Sequence, residues 1–192
     1  EDTTRLVPPE RIPKNYDELL NPWWKGKLGY PTGNPAWFGK MIEVMGEERG
    51  LNFMKRLAAQ NLSYRNGLTL SMNLVIAAEI SASVFGQSLR AQQLKEQGAP
   101  IDWAPLDPYI AAINSIAMTS HAPHPNAARL FIDFILSKEG QMVIANLSRI
   151  PSRQGVEPRN PKLVRGLKLY PIRPLAIKEY DAMSKLHREI FR

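Results

Sequence analysis

The sequence contains no cysteine. Disulfides, thiolate metal sites and cysteine nucleophiles are therefore excluded, and either redox compartment is compatible with the chain. Long hydrophobic runs are missing as well: stretches such as Leu74–Ala78 fall far short of the ~20 apolar residues a membrane helix needs. No charged-then-apolar leader stands at the start, so any export signal is expected to have been removed or never to have been part of this chain. Histidine is scarce. His121 and His124 have possible metal spacing on a helix, but Pro123 and Pro125 interrupt one, so a loop is expected. Glycine-rich phosphate loops, nucleophile elbows and HExxH are all absent. The paired Glu47 and Glu48 suit the positive end of a helix better than acid–base chemistry. Nothing here points to an enzyme.

What is present is ordinary for a soluble globular protein: 192 residues, 44% hydrophobic and 22% charged, enough for one large domain or two small ones. The net charge of +7 is unevenly placed. Residues 1–148 hold 14 basic and 14 acidic side chains, whereas 149–192 hold 11 and 4. Such a basic segment can attract nucleic acid, anionic lipid or a charged partner, and a nucleic-acid- or membrane-surface-binding module is the alternative function it allows. No nucleic-acid motif accompanies it, which favours a solvated helix face.

Periodicity and punctuation predict alternating strands and helices, an α/β protein. Asn15 caps a short helix over Tyr16–Leu20, and 27–30 is a short strand. Asn34 and Pro35 open a helix with Trp37, Met41 and Met45 on its buried stripe. Further helices are expected over 47–60, 68–79, 88–97, from Pro125, over 138–147 and over 175–191, with strands at 101–105 and 115–119. In the helix from Pro125, Leu130, Phe131, Phe134 and Ile135 share one side, and Arg129 and Asp133 form a possible pair on the other. Residues 151–174 carry five prolines and read as loop. The strands are too few for so much helix.

Four segments carry a resemblance: Pro13–Lys27 (PKNYDELLNPWWKGK), Gly98–Trp103 (GAPIDW), His124–Gln141 (HPNAARLFIDFILSKEGQ) and Ile150–Arg153 (IPSR). In this order and spacing they resemble family 1 extracellular solute-binding proteins of bacterial ABC importers, nearest to the ferric-iron subgroup. The resemblance implies a type II periplasmic-binding-protein fold, with two α/β lobes between which hinge closure traps a small solute. It implies a crossover over 1–9, lobe two over 10–107, a return to lobe one over 108–150, and a segment over 151–192 packing back on lobe two. On this resemblance the chain is expected to start at the first crossover, without the N-terminal segment that would build most of lobe one. The return segment is therefore expected to expose apolar surface, with possible self-association. A truncated fragment that binds nothing is a further alternative. The implied partners are a small anion, organic acid or metal chelate and an inner-membrane ABC permease, in the periplasm, with no cofactor and no nucleic acid.

Carried onto this sequence, the family pattern points to three ligand-binding segments. Thr32, Gly33 and Asn34 form a small-residue loop ahead of a helix; Tyr64, Arg65 and Asn66 precede another, with Asn66 a candidate cap and Arg65 a clamp for an anion. Phe85 and Gln87 lie where ferric members carry adjacent tyrosines. Phenylalanine cannot supply a phenolate, so no tyrosinate–iron site is expected and no metal ligand is assigned.

Overall fold

The computed structural model describes residues 6–191. The expected crossover therefore lies partly outside the described residues. From Pro9 onward the chain makes short 3-10 turns, of which Tyr16–Leu20 is capped as expected: Asn15 Oδ1 accepts from the Glu18 amide. Strand β1 (Leu28–Thr32) follows, then helices α1 (Pro35–Met45) and α2 (Glu47–Ala58), strand β2 (Ser63–Asn66), helix α3 (Leu68–Ile76), the two-residue strand β3 (Ala82–Ser83) and helix α4 (Ser88–Glu96). Strand β1 pairs in parallel with β2 on one side and β3 on the other. Strands β4 (Tyr109–Ala111) and β5 (Leu169–Pro171) form a separate parallel pair. Helices α5 (Pro125–Leu136), α6 (Lys138–Asn146) and α7 (Ile177–Ile190) complete the chain.

The chain packs as two units. One comprises everything up to Ala112 and from Lys168 onward; the other is Ile113–Leu167. The joints thus fall at 112/113 and 167/168, where the sequence suggested 107/108 and 150/151. Both strands of the β4–β5 pair belong to the first unit.

The first unit has a well-filled core on one face of its sheet. Leu28 and Tyr30 on β1, Trp37, Phe38 and Met41 on α1, and Phe53, Met54 and Leu57 on α2 are all buried there. Helix α7 closes this face, packing Met183, Leu186 and Ile190 against the cluster and burying His187; Phe191, just beyond it, is buried too. Tyr30, with no exposed surface, stacks on Phe191 at 4.1 Å and shares a 2.9 Å hydrogen bond with His187 Nε2. On the other face α3 and α4 bury Met72, Ala91 and Ile101. Gly29 lets α3 approach: a Cβ there would lie 2.3 Å from Ile80 Cδ1.

The second unit is different. No residue of α5 is buried; Leu130 is 72% and Phe131 58% exposed, and Phe134 lies open beside them. The apolar side of α5 was legible in the sequence, and its only partial burial was expected. Helix α6 is anchored better. Buried Gln141 donates to the Ile135 carbonyl and accepts from the Ser152 amide at 2.7 Å each.

Several expectations are corrected. Residues 101–105 and 115–119 are not strands; Ile101 is buried, with its amide donating to the Ala99 carbonyl at 2.8 Å. Residues 63–66 form a strand, so Asn66 does not cap α3, whose capping position is Gly67, at φ +90°. The 68–79 helix stops at Ile76, because Ala78 turns left-handed at φ 62°. Arg129 and Asp133 form no ion pair among the described residues, their side chains pointing to solvent from an exposed helix. The helix expected over 175–191 is buried on one side only from Met183 onward, and Ile177 and Tyr180 in its first turns are exposed.

Candidate ligand site

Parallel strands share their carboxyl ends on one edge, and there each hands over to a helix whose first N–H groups lack intrahelical partners. Thr32 is level with Asn66 in the β1–β2 register, and β3 joins the other side of β1 at Gly29. The chain leaves this edge through three corners: 33–34 into α1, Gly67 into α3, and 84–87 into α4. Three helix N-termini therefore stand side by side on one edge.

They are not equivalent. At α1, Asn34 Oδ1 accepts from the Trp37 amide at 3.1 Å, and Pro35 removes one donor outright, so this terminus is largely satisfied. Helices α3 and α4 have no side-chain cap. Their leading N–H groups are orphan donors with the positive end of the peptide dipoles behind them, which suits an anion.

The sequence-assigned residues divide between this edge and the core. Thr32 Oγ1 donates to the Arg65 carbonyl at 3.2 Å, tying the first corner to the second strand. Gly33, at φ +88°, sits beside Asn66: a Cβ on it would lie 3.7 Å from Asn66 Oδ1. Exposed Arg65 donates through Nη1 to the Tyr64 carbonyl at 2.7 Å; among the described residues that is the one hydrogen bond of its guanidinium, leaving most of its five donors free. Tyr64 is half-buried, edge-on to Tyr30 at 6.1 Å. Gln87 is exposed at the capping position of α4. Phe85 is the exception. It is 9% exposed and stacks on Trp37 at 4.3 Å, so its ring belongs to the core and is not displayed to a ligand, because the apolar face of α1 offers it a better partner than water.

Sequence reasoning missed the group that shapes the third corner. Ser71, 1% exposed on α3, donates to Ser83 Oγ at 2.9 Å, which donates to the Phe85 carbonyl at 2.9 Å. The signal was a serine within the apolar run Leu68–Met72, which must find a partner when buried. The Tyr30–His187 pair was missed too. Burial raises the Tyr30 phenol, with Tyr64 adding to the effect, and burial also raises Tyr64; burial lowers His187, helped by Arg188. Both phenols are thus held in the neutral form. Among the described residues no group of three or more His, Cys, Asp or Glu is placed to hold a metal.

Comparison with known proteins agrees with this architecture. The sequence profile described as bacterial extracellular solute-binding protein matches residues 2–169. The major ferric iron-binding protein of Neisseria gonorrhoeae is 22% identical over 195 residues, covering 97% of this chain and 57% of that protein. The Fe(3+)-binding periplasmic protein of Serratia marcescens is 24% identical, with 90% and 52% covered. The chain thus spans little more than half the length of these relatives. Among solved structures, the substrate-binding protein of an ABC transporter from Agrobacterium tumefaciens superposes with a TM-score of 0.70 at 15% identity, covering 94% of this chain and 60% of that one. Iron-bound HitA from Pseudomonas aeruginosa gives 0.63 at 21% identity, with 96% and 63% covered. The fold is that of the type II periplasmic binding proteins.

Proposed function

The chain belongs to the bacterial extracellular solute-binding proteins, and on that premise we propose that it captures a small anionic solute at the carboxyl edge of the β2–β1–β3 sheet. As a member of a family of binding proteins it is not an enzyme, and it works outside the cytoplasm, in the periplasm. The observation that carries the ligand class is the edge itself: two helices without side-chain caps begin there, and Arg65 lies one residue before the end of β2. Thr32, Gly33, Asn34, Tyr64, Arg65, Asn66 and Gln87 make up the site, with Phe85 as its packed support. Each exposed terminus favours negative charge by about 0.3–1 kcal/mol, and charged hydrogen bonds from Arg65 add roughly 1.5–3 kcal/mol.

The ferric names of the relatives suggest a cargo of iron. The reading favoured here is a ferric chelate, whose carboxylate or phosphate groups meet the orphan N–H donors, because Tyr30 is buried on His187 and burial disfavours the phenolate of Tyr64. The partner receiving the solute is an ABC permease. In family terms the unit containing β1–β3 is lobe two, 1–9 the crossover, and β4 and β5 the strands by which the chain leaves and re-enters that lobe.

Calorimetric titration with phosphate, citrate and ferric citrate tests the site. Arg65→Ala is expected to weaken anion binding at least tenfold, with the melting temperature of the ligand-free chain unchanged. Ferric citrate should bind without a visible phenolate-to-iron absorption band. Anion binding indifferent to Arg65→Ala would refute the assignment of Arg65, and a band abolished by Tyr64→Phe would refute the chelate reading.

A further inference from the structure

A second polar cavity lies in the same unit, at the other end of α1. Pro35 opens that helix at the ligand edge, and Val44 and Met45 at its far end, roughly 15 Å along the axis, form part of the wall of a cavity of about 270 Å3. Pro108 adds to this apolar part, and the polar part is Asn15, Tyr16, Asp17, Arg49, Asp107 and Tyr170. The volume is several times the roughly 30 Å3 a water occupies in the liquid.

Tyr16 is the informative residue. It is 7% exposed, its ring fixed edge-on against Phe53 at 5.9 Å and tilted on Trp37 at 6.4 Å, yet its hydroxyl has no hydrogen-bond partner among the described residues. A buried hydroxyl left unpaired costs more than a typical net hydrogen bond returns, so such a group signals a missing partner. Beside it the Asp107 carboxylate makes no hydrogen bond or ion pair among the described residues, while the other carboxylate of the wall, Asp17, is already neutralised by Arg49 at 3.0 Å. Tyr170 adds an aromatic face. Lys168 shows what this residue attracts: its ammonium lies 5.0 Å from the centre of the Tyr170 ring, and its proton is held chiefly by the Tyr170 hydroxyl, with Asp107 a lesser help. Two unsatisfied acceptors, an aromatic face and a short apolar wall describe a receptor for a positive head on a small apolar body.

We propose that this cavity is a second binding site, separate from the anion edge, for a small organic ammonium ion held by Asp107 and Tyr16. Lys168 is its built-in competitor, an ammonium tethered at the same aromatic ring. The site adjoins both strands that connect the two units, since Asp107 and Pro108 lead directly into β4 and Tyr170 is the middle residue of β5.

Two-dimensional amide NMR of this chain tests the proposal, with n-butylammonium chloride as probe and sodium butyrate and potassium chloride at equal ionic strength as controls. Saturable shifts confined to residues near 15–17, 107–111 and 168–171 are expected with butylammonium alone. Asp107→Asn should raise the apparent Kd at least tenfold, and Tyr16→Phe several-fold without lowering the melting temperature, since it removes a hydroxyl that has no partner. Lys168→Gln should tighten binding several-fold by removing the competitor. The proposal fails if neither the parent chain nor Lys168→Gln shows a saturable shift, if butyrate or potassium gives the same shift, or if Asp107→Asn leaves it unchanged. A clear loss of stability in Tyr16→Phe would also overturn it, by revealing a partner inside the fold.

Discussion

His187 is the residue whose environment most constrains the chain's response to pH. Its ring lies against Tyr30, Phe38 and Phe191, it is 6% exposed, and its charged neighbour is Arg188, which opposes protonation as burial does. Its folded pKa therefore lies below the ordinary value of 6.5, so the unfolded chain takes up the proton first. The contribution to stability is complete above that value and is lost as pH falls through it towards the folded pKa. Urea midpoints measured between pH 5 and 7.5 are expected to fall on the acid side, and His187→Gln to flatten the part of the slope due to this residue. A slope unchanged by the substitution would show that other groups govern it. Nothing local announced this pair, since Tyr30 and His187 are 157 positions apart. Asn15 and Asn34 were legible because a cap and the amides it satisfies lie within three residues. Asn66 misled for the same reason: its local sequence suits a cap, and strand pairing with Thr32 took precedence.

At the scale of elements, the amphipathic helices and the central strand β1 were readable and the shorter strands were not. Helices α1 and α2 have enough turns to repeat their apolar positions, whereas β3 has two residues and β2 reads Ser-Tyr-Arg-Asn, with no alternation for the eye to find. The packing of α1 on α2 adds a constraint that periodicity cannot show. A Cβ on Gly50 would lie 2.7 Å from Ile42 Cα, a backbone atom that cannot turn aside. Gly50→Ala is thus expected to destabilise the chain by about 1–3 kcal/mol, despite alanine's better helix propensity. Gly39→Ala is the control: its Cβ would meet only the flexible Met183 side chain at 3.2 Å, and its cost should be markedly smaller. Equal melting temperatures for the two variants would contradict this account of the helix crossing. Two corners of the sheet edge proposed for the ligand were legible for a related reason, since Gly33 and Gly67 punctuate them, each at positive φ.

For the whole molecule, the apolar side of α5 was plain from its spacing but what covers it was not, because periodicity records a preference and not a partner. In the structure Leu130, Phe131 and Phe134 lie open to solvent. Phe131→Lys combined with Leu130→Lys is expected to reduce binding of a hydrophobic dye while leaving the unfolding of the first unit within about 0.5 kcal/mol. Residues 113–167 alone, with no buried residue on α5 and no strand, are expected to give a poorly dispersed amide spectrum; a well-dispersed one would show a self-sufficient domain. The stacking of Phe191 on Tyr30 has a consequence in time. The central strand is made early and the ring that seals it is among the last residues described, so during synthesis the core of the first unit stands open until that ring arrives.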